Sequence, residues 1–204
     1  MIDAERRLLG NALLDPSNRW FILLSESCIP LFNFTRIYTH LASSRLSFLG
    51  SFDDPRKPGR GRYNRRMGPA VTLQDWRKGS QWFTVHRALA VEVVSDRTYY
   101  PVFRDHCGPP CYMDEHYLPT LVRKRLAWLN SNRSVTWADW SRGGSHPATY
   151  RKPDVTVALV ERMRRGSGCV YNGNASEVCF LFARKFHANS LGPLIELAKS
   201  LMFY

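Results

Sequence analysis

The chain has 204 residues, enough for an ordinary domain with a sizeable core; 44% hydrophobic and 13% aromatic content excludes wholesale disorder. Its 29 Lys and Arg against 17 Asp and Glu give a net charge of +12, a surface that attracts nucleic acid, acidic lipid or nucleotide phosphates. No run approaches the roughly 20 apolar residues of a membrane helix, and Asp3, Glu5, Arg6 and Arg7 stand where a signal peptide would place its apolar core.

Ala4, Leu8, Leu9, Ala12 and Leu13 recur at helical spacing and predict a helix over 2–14 with Asp3 as N-cap, ended by Asp15-Pro16-Ser17-Asn18. The apolar run 20–24 reads as a strand buried on both faces. It empties into Ser25-Glu26-Ser27-Cys28, at the strand end where open α/β sheets bind ligands. A second helix starts near Asn33, and 47–52 reads as a strand. Residues 53–70 form a basic loop, broken by Pro55, Pro58, Gly59, Gly61 and Gly68 and carrying Arg56, Lys57, Arg60, Arg62, Arg65 and Arg66. A strand over 81–85, a helix over 87–95 and a rigid Cys107-Gly108-Pro109-Pro110-Cys111 turn follow. The next helix follows Asp114-Glu115, with Pro119 restricting where it can start. Then come a strand near 135–137, a helix over 155–164, a strand over 178–182 and a helix over 194–202. Helices alternating with short apolar strands define the class as α/β, without internal repeats.

Four segments could carry chemistry. Trp76-Arg77-Lys78-Gly79-Ser80-Gln81-Trp82-Phe83 interleaves aromatics with cations, which suits stacking on a sugar or base; alternatively its aromatics are core and its cations solvated. Asp114-Glu115-His116-Tyr117 offers a carboxylate that a helix N-terminus could hold as a general base, or acids that merely oppose the helix dipole. The loop from Trp137 through Asp139, Trp140 and Arg142 to Pro147 is either a carbohydrate-binding edge or a turn pinned by buried indoles. Arg184 and Lys185, with Arg162, Arg164 and Arg165 nearby in sequence, could clamp a diphosphate without a metal, or snorkel at the surface. Cys107 and Cys111 lack a second Cys/His pair at zinc spacing, and there is no P-loop and no nucleophile elbow. Five cysteines leave at least one unpaired within the chain, and sequons at Asn33, Asn132 and Asn174 are glycosylation candidates in a secretory setting.

The strings Leu23-Leu24-Ser25-Glu26-Ser27-Cys28-Ile29-Pro30-Leu31, Trp76-Arg77-Lys78-Gly79-Ser80-Gln81-Trp82-Phe83, Asp114-Glu115-His116-Tyr117, Trp140-Ser141-Arg142-Gly143-Gly144 and Phe180-Leu181-Phe182-Ala183-Arg184-Lys185-Phe186 occur in a telling order. Together they resemble the plant branch of the core-2/I-branching β-1,6-N-acetylglucosaminyltransferases, glycosyltransferase family 14. The resemblance implies a GT-A, Rossmann-like transferase that inverts the anomeric centre. Its donor would be a UDP-sugar carrying GlcNAc, its acceptor a glycan or glycoprotein, and it would need no metal cofactor. Glu115 would be the base, and Lys185 with Arg165 or Arg164 would hold the diphosphate. Trp137, or Trp140 in a competing alignment, would stack on the acceptor, with Arg62 and Arg65 on the acceptor rim. Cys169 and Cys179 fall where relatives place a disulfide. Relatives are Golgi membrane proteins facing the lumen, and this chain lacks their anchor. Residues 1–204 would then be the C-terminal portion of the catalytic domain, with the N-terminal strands missing. Two other readings stand beside this one: a non-catalytic carbohydrate- or nucleotide-binding remnant, and a nucleic-acid binder driven by residues 56–66, with steep salt dependence.

Overall fold

The computed structural model describes residues 1–202. Helix α1 (Ile2–Ala12) buries Ile2, Glu5 and Leu9. It starts at Ile2 as expected but is capped by Met1 rather than Asp3, which lies in the first turn, where its charge favours the dipole, and it ends at Ala12, two residues early. Strand β1 (Trp20–Ile22) uses three residues of the apolar run, and a two-residue strand β2 (Ile29–Pro30) follows. Asn33 caps α2 (Phe34–Ala42), its Oδ1 accepting from the Arg36 amide at 2.9 Å.

The strand expected over 47–52 makes only isolated bridges from Ser47, Phe48 and Phe52. The Asn130 amide accounts for this: its Oδ1 accepts from Leu49 N at 3.0 Å and its Nδ2 donates to Leu49 O at 2.7 Å, in place of a ladder. Strand β3 (Thr84–His86) lies three residues later than expected, and α3 (Arg87–Ser95) occupies the expected residues. Helix α4 (Tyr99–His106) was not foreseen, although Asp96 signals it: its carboxylate accepts from the amides of Thr98, Tyr99 and Tyr100.

Helix α5 (Met113–Arg125) runs straight through Pro119. Proline has no N–H to give the carbonyl four residues back, which is that of Glu115. The Gly79 amide donates to that carbonyl instead, at 2.9 Å. After β4 (Thr136–Ala138), α6 (Val157–Arg165) is capped by Thr156 and ended by Gly166 at φ 56°. Strands β5 (Cys169–Tyr171) and β6 (Asn174–Ser176) form a hairpin absent from the sequence reading. Its turn, Asn172-Gly173, has φ 50° and 88°, the positive pair an Asn-Gly turn favours. Strand β7 (Phe182–Arg184) and α7 (Leu191–Leu201) complete the α/β chain.

The residues group into two compact units. The first, Met1–Leu23 with Leu46–Ser134, contains the antiparallel pair β1–β3. Its core centres on Trp76, stacked on His116 at 4.4 Å and on Phe103 at 5.5 Å. The second, Leu24–Arg45 with the chain from Val135, has a three-stranded sheet with β7 in the middle, antiparallel to β2 and parallel to β4. Leu31, Val160, Met163, Ala183 and Phe186 fill its core. Among the described residues, no helix is long and apolar enough to cross a membrane.

Candidate active site

Glu115 lies in the first turn of α5. Its Oε2 receives two cations: Arg62 Nη1 at 2.5 Å and Lys78 Nζ at 2.6 Å. Oε1 has no hydrogen-bond partner among the described residues. Burial alone would raise this carboxyl's pKa, but the hydrogen bond and charge of Lys78, followed by those of Arg62, hold it below the usual carboxylate range. The result is an ionised, half-buried carboxylate tethered by one oxygen and open at the other.

The tether follows from local structure. Because Pro119 frees the Glu115 carbonyl for Gly79, the segment carrying Lys78 docks on α5 one residue from the cation it delivers. A Cβ on Gly79 would collide with the Gly50 carbonyl and the Pro119 ring, so only glycine fits. Arg62 comes from the basic loop, and its guanidinium also lies over the Tyr112 ring at 4.8 Å.

That loop is anchored rather than solvated. Met67 and Asp54 are buried, Gly59 O accepts from Trp76 Nε1 at 3.0 Å, and Asn64 Nδ2 donates to His106 O at 3.0 Å. Arg56, Arg60 and Arg62 pair with Asp54, Asp53 and Glu115, which neutralises half of the six cations that suggested a nucleic-acid surface. Arg65 is exposed on the turn 65–67 and is not part of the Glu115 cluster. The aromatics Trp76, Trp82 and Phe83 are core, whereas Lys78 is an ion-pair partner rather than a solvated cation.

Two further titratable groups of the first unit are buried. His116 is fully buried; its Nδ1 donates to Arg77 O at 2.9 Å, and burial drives its pKa down to about 4. Its Nε2 is buried with no hydrogen-bond partner among the described residues, so the neutral ring is a packing element. Glu5 on α1 is 3% exposed and accepts from Gln81 Nε2 at 2.9 Å through Oε1. Burial lifts its pKa to about 7, with the Asp114 charge adding to the rise.

In the second unit, Trp137 on β4 is half-buried, edge-on to Phe180 at 5.1 Å, and pairs in register with Ala183 of β7. Trp140 is 50% exposed. Asp139 accepts from the Tyr150 hydroxyl at 3.0 Å, and Tyr150 N donates to Lys185 O at 2.8 Å, which ties this loop to the Lys185 segment. Lys185 follows β7 and is half-buried. The two arginine candidates separate. Arg164 is buried, with Nε on Leu31 O at 2.8 Å, Nη1 on Glu161 at 2.6 Å and its guanidinium over Phe32 at 4.4 Å, so it is committed to the fold. Arg165 is exposed.

Cys169 and Cys179 form a disulfide, and so do Cys107 and Cys111, so the rigid turn between them is also covalently closed; Cys28 is free. Asn33 uses Oδ1 to cap α2 and Nδ2 to donate to Met202 O at 3.0 Å, while Asn132 and Asn174 are exposed.

Glu115 is thus an ionised carboxylate in the first turn of a helix of an α/β chain, held at one oxygen by two cations. The Core-2/I-Branching enzyme family model matches residues 1–164, and the chain belongs to that family. The match takes in Arg62, Lys78, Glu115 and Trp137, and ends before Arg165 and Lys185. The chain is also 38% identical to Glycosyltransferase BC10 of Oryza sativa subsp. japonica over 240 aligned positions, covering 97% of this chain. It spans 59% of that protein's length.

Proposed function

We propose that the chain is the C-terminal portion of an inverting, GT-A-type glycosyltransferase that moves a sugar, GlcNAc, from a UDP-sugar to a hydroxyl of a glycan or glycoprotein. The observation that carries this reading is the state of Glu115. With Oε2 held by Lys78 and Arg62, Oε1 is the oxygen left to accept the acceptor's proton as that hydroxyl attacks the anomeric carbon. The acceptor oxygen forms the new bond, the bond to the UDP oxygen breaks, and the released diphosphate carries away the electron pair. In this reading Lys185 and Arg165 supply counter-charge to that diphosphate without a metal ion, and Trp137 or Trp140 stacks on the acceptor sugar. Arg62 and Arg65 form the acceptor rim, with Arg62 exchanging part of its hold on Glu115 for the acceptor. The two disulfides support an oxidising, lumenal setting such as the Golgi. There Asn174, exposed on β6, is the sequon best placed to carry a glycan, whereas one on Asn33 would break its bond to Met202 O.

The test is UDP release from UDP-GlcNAc and other UDP-sugars with a glycan acceptor, with and without EDTA. Release should survive EDTA and fall by about 10²–10⁴-fold in Glu115→Gln, the range for losing a general base. Equal rates in both proteins would remove Glu115 from the role. Saturable UDP binding by a folded chain with no turnover would instead favour the non-catalytic remnant.

A further inference from the structure

A cavity of about 420 Å³ opens in the first unit beside the last turn of α5, with Ser51, Phe52, Asp53, Arg77, Arg123 and Asn132 in its wall. That volume suits a small ligand. It belongs to the opposite end of α5 from Glu115: eight residues separate Glu115 from Arg123, about 12 Å along the helix axis. Most polar groups of the wall are already engaged. Both carboxylate oxygens of Asp53 accept from Arg60, at 2.8 and 2.6 Å. Asn132 Oδ1 accepts from Ser51 N at 2.6 Å, and Ser51 Oγ donates to Pro119 O at 2.8 Å. Arg77 is pinned through Nη1, which donates to Gln74 O and Trp76 O, both at 2.8 Å.

Among the side-chain groups of the wall, three have no hydrogen-bond partner among the described residues, and all three are donors: the Arg123 guanidinium, Nε and Nη2 of Arg77, and Nδ2 of Asn132. Neither Arg77 nor Arg123 has a carboxylate in salt-bridge contact among the described residues, because Asp53 is taken by Arg60 and Asp75 by Lys124. Burial, and after it the Arg123 charge, lowers the pKa of Arg77, the behaviour of two like charges sharing a wall. A planar guanidinium fork fits an oxyanion, and Phe52, 44% exposed, adds an aromatic face suited to the apolar side of a pyranose.

We propose that this cavity binds an acidic sugar, its carboxylate or sulfate held by Arg77, Arg123 and Asn132 Nδ2 and its ring resting against Phe52. The site is separate from the Glu115 chemistry and stands whether or not the chain transfers sugar. It requires an unmodified Asn132, since a glycan there would occupy the third donor.

Calorimetric titration of unglycosylated, disulfide-bonded chain with sodium D-glucuronate and with glucose 6-sulfate tests it, alongside glucose and inorganic sulfate. Saturable binding of at least one acidic sugar is expected, weakened about tenfold or more in Arg123→Gln, the usual scale for losing a charge-assisted contact. Glu115→Gln should bind as the wild type does, which separates this site from the proposed transfer reaction. The Arg123 side chain is exposed and makes no hydrogen bond among the described residues, so its replacement leaves the fold intact; melting curves check this. Absence of saturable binding, unchanged binding in Arg123→Gln, or inorganic sulfate binding as tightly as the acidic sugars would each overturn the proposal, the last by reducing the site to a bare-anion contact.

Discussion

Glu115 shows how one carboxyl's role is set by neighbours far away in sequence. Arg62 lies 53 residues before it and Lys78 lies 37, yet both end on the same oxygen. The acidic motif was legible in sequence as a base or a dipole partner, and Arg62 was legible as one cation of a basic loop. Lys78 was read only as part of an aromatic and cationic run, because no periodicity connects positions 78 and 115. Lys78 is the cation whose effect on the Glu115 pKa is the larger. Lys78→Met therefore raises that pKa and moves the acid limb of the pH dependence of kcat/KM to higher pH, so activity falls more at pH 6 than at pH 8. Lys78→Arg should restore the limb. A pH profile unchanged in Lys78→Met would mean that Arg62 alone sets the base.

At the scale of elements, the junction of α5 with the Lys78 segment depends on a proline and a glycine. Pro119 in a helix interior looks like a defect, and the sequence alone reads it as a limit on where the helix starts. The helix instead passes through it, and the carbonyl it frees becomes the docking point for Gly79. Gly79→Ala forces a methyl into the Gly50 carbonyl and the Pro119 ring. It should cost about 1–3 kcal/mol in urea denaturation, the range for overpacking a tight site, and should lower transfer activity through Lys78. A stability equal to wild type would show that the segment can shift without loss. Helices were the more legible elements, since α1, α2, α3 and α6 fall close to the expected residues, although the α1 cap is Met1 rather than Asp3. Short strands were less so. The segment 47–52 is apolar enough for a strand, but Asn130 satisfies its backbone, and the β5–β6 hairpin was signalled only by Asn172-Gly173.

For the molecule as a whole, two buried groups set opposed pH dependences of stability. Glu5 titrates at about 7 against an ordinary 4.5, so the folded chain binds the extra proton and stability falls as pH rises through that window. His116 titrates at about 4 against an ordinary 6.5, so the unfolded chain binds more protons and stability falls as pH drops from 6.5 towards 4. Each effect is on the order of 3 kcal/mol over its window, at about 1.4 kcal/mol per pH unit of displacement. Between pH 4.5 and 6.5 they oppose one another. Glu5→Gln removes the falling branch, so its melting temperature should climb with pH across that interval more steeply than that of the wild type. Parallel curves for the two proteins would show that Glu5 is not the source of the falling branch.

Composition and the alternation of helical and strand patterns were enough by themselves for the α/β class, and five ordered strings carried the resemblance to the core-2/I-branching family that points to Glu115. These are local signals, carried by residues within a few positions of one another. The tertiary structure alone decided which cations meet Glu115, that Arg164 is committed to Leu31 and Glu161 while Arg165 is exposed, and that Arg77 and Arg123 share one cavity wall. Those outcomes depend on which side chains packing brings within hydrogen-bond distance and which it removes from water, and both are set by contacts across tens of residues that no local pattern encodes.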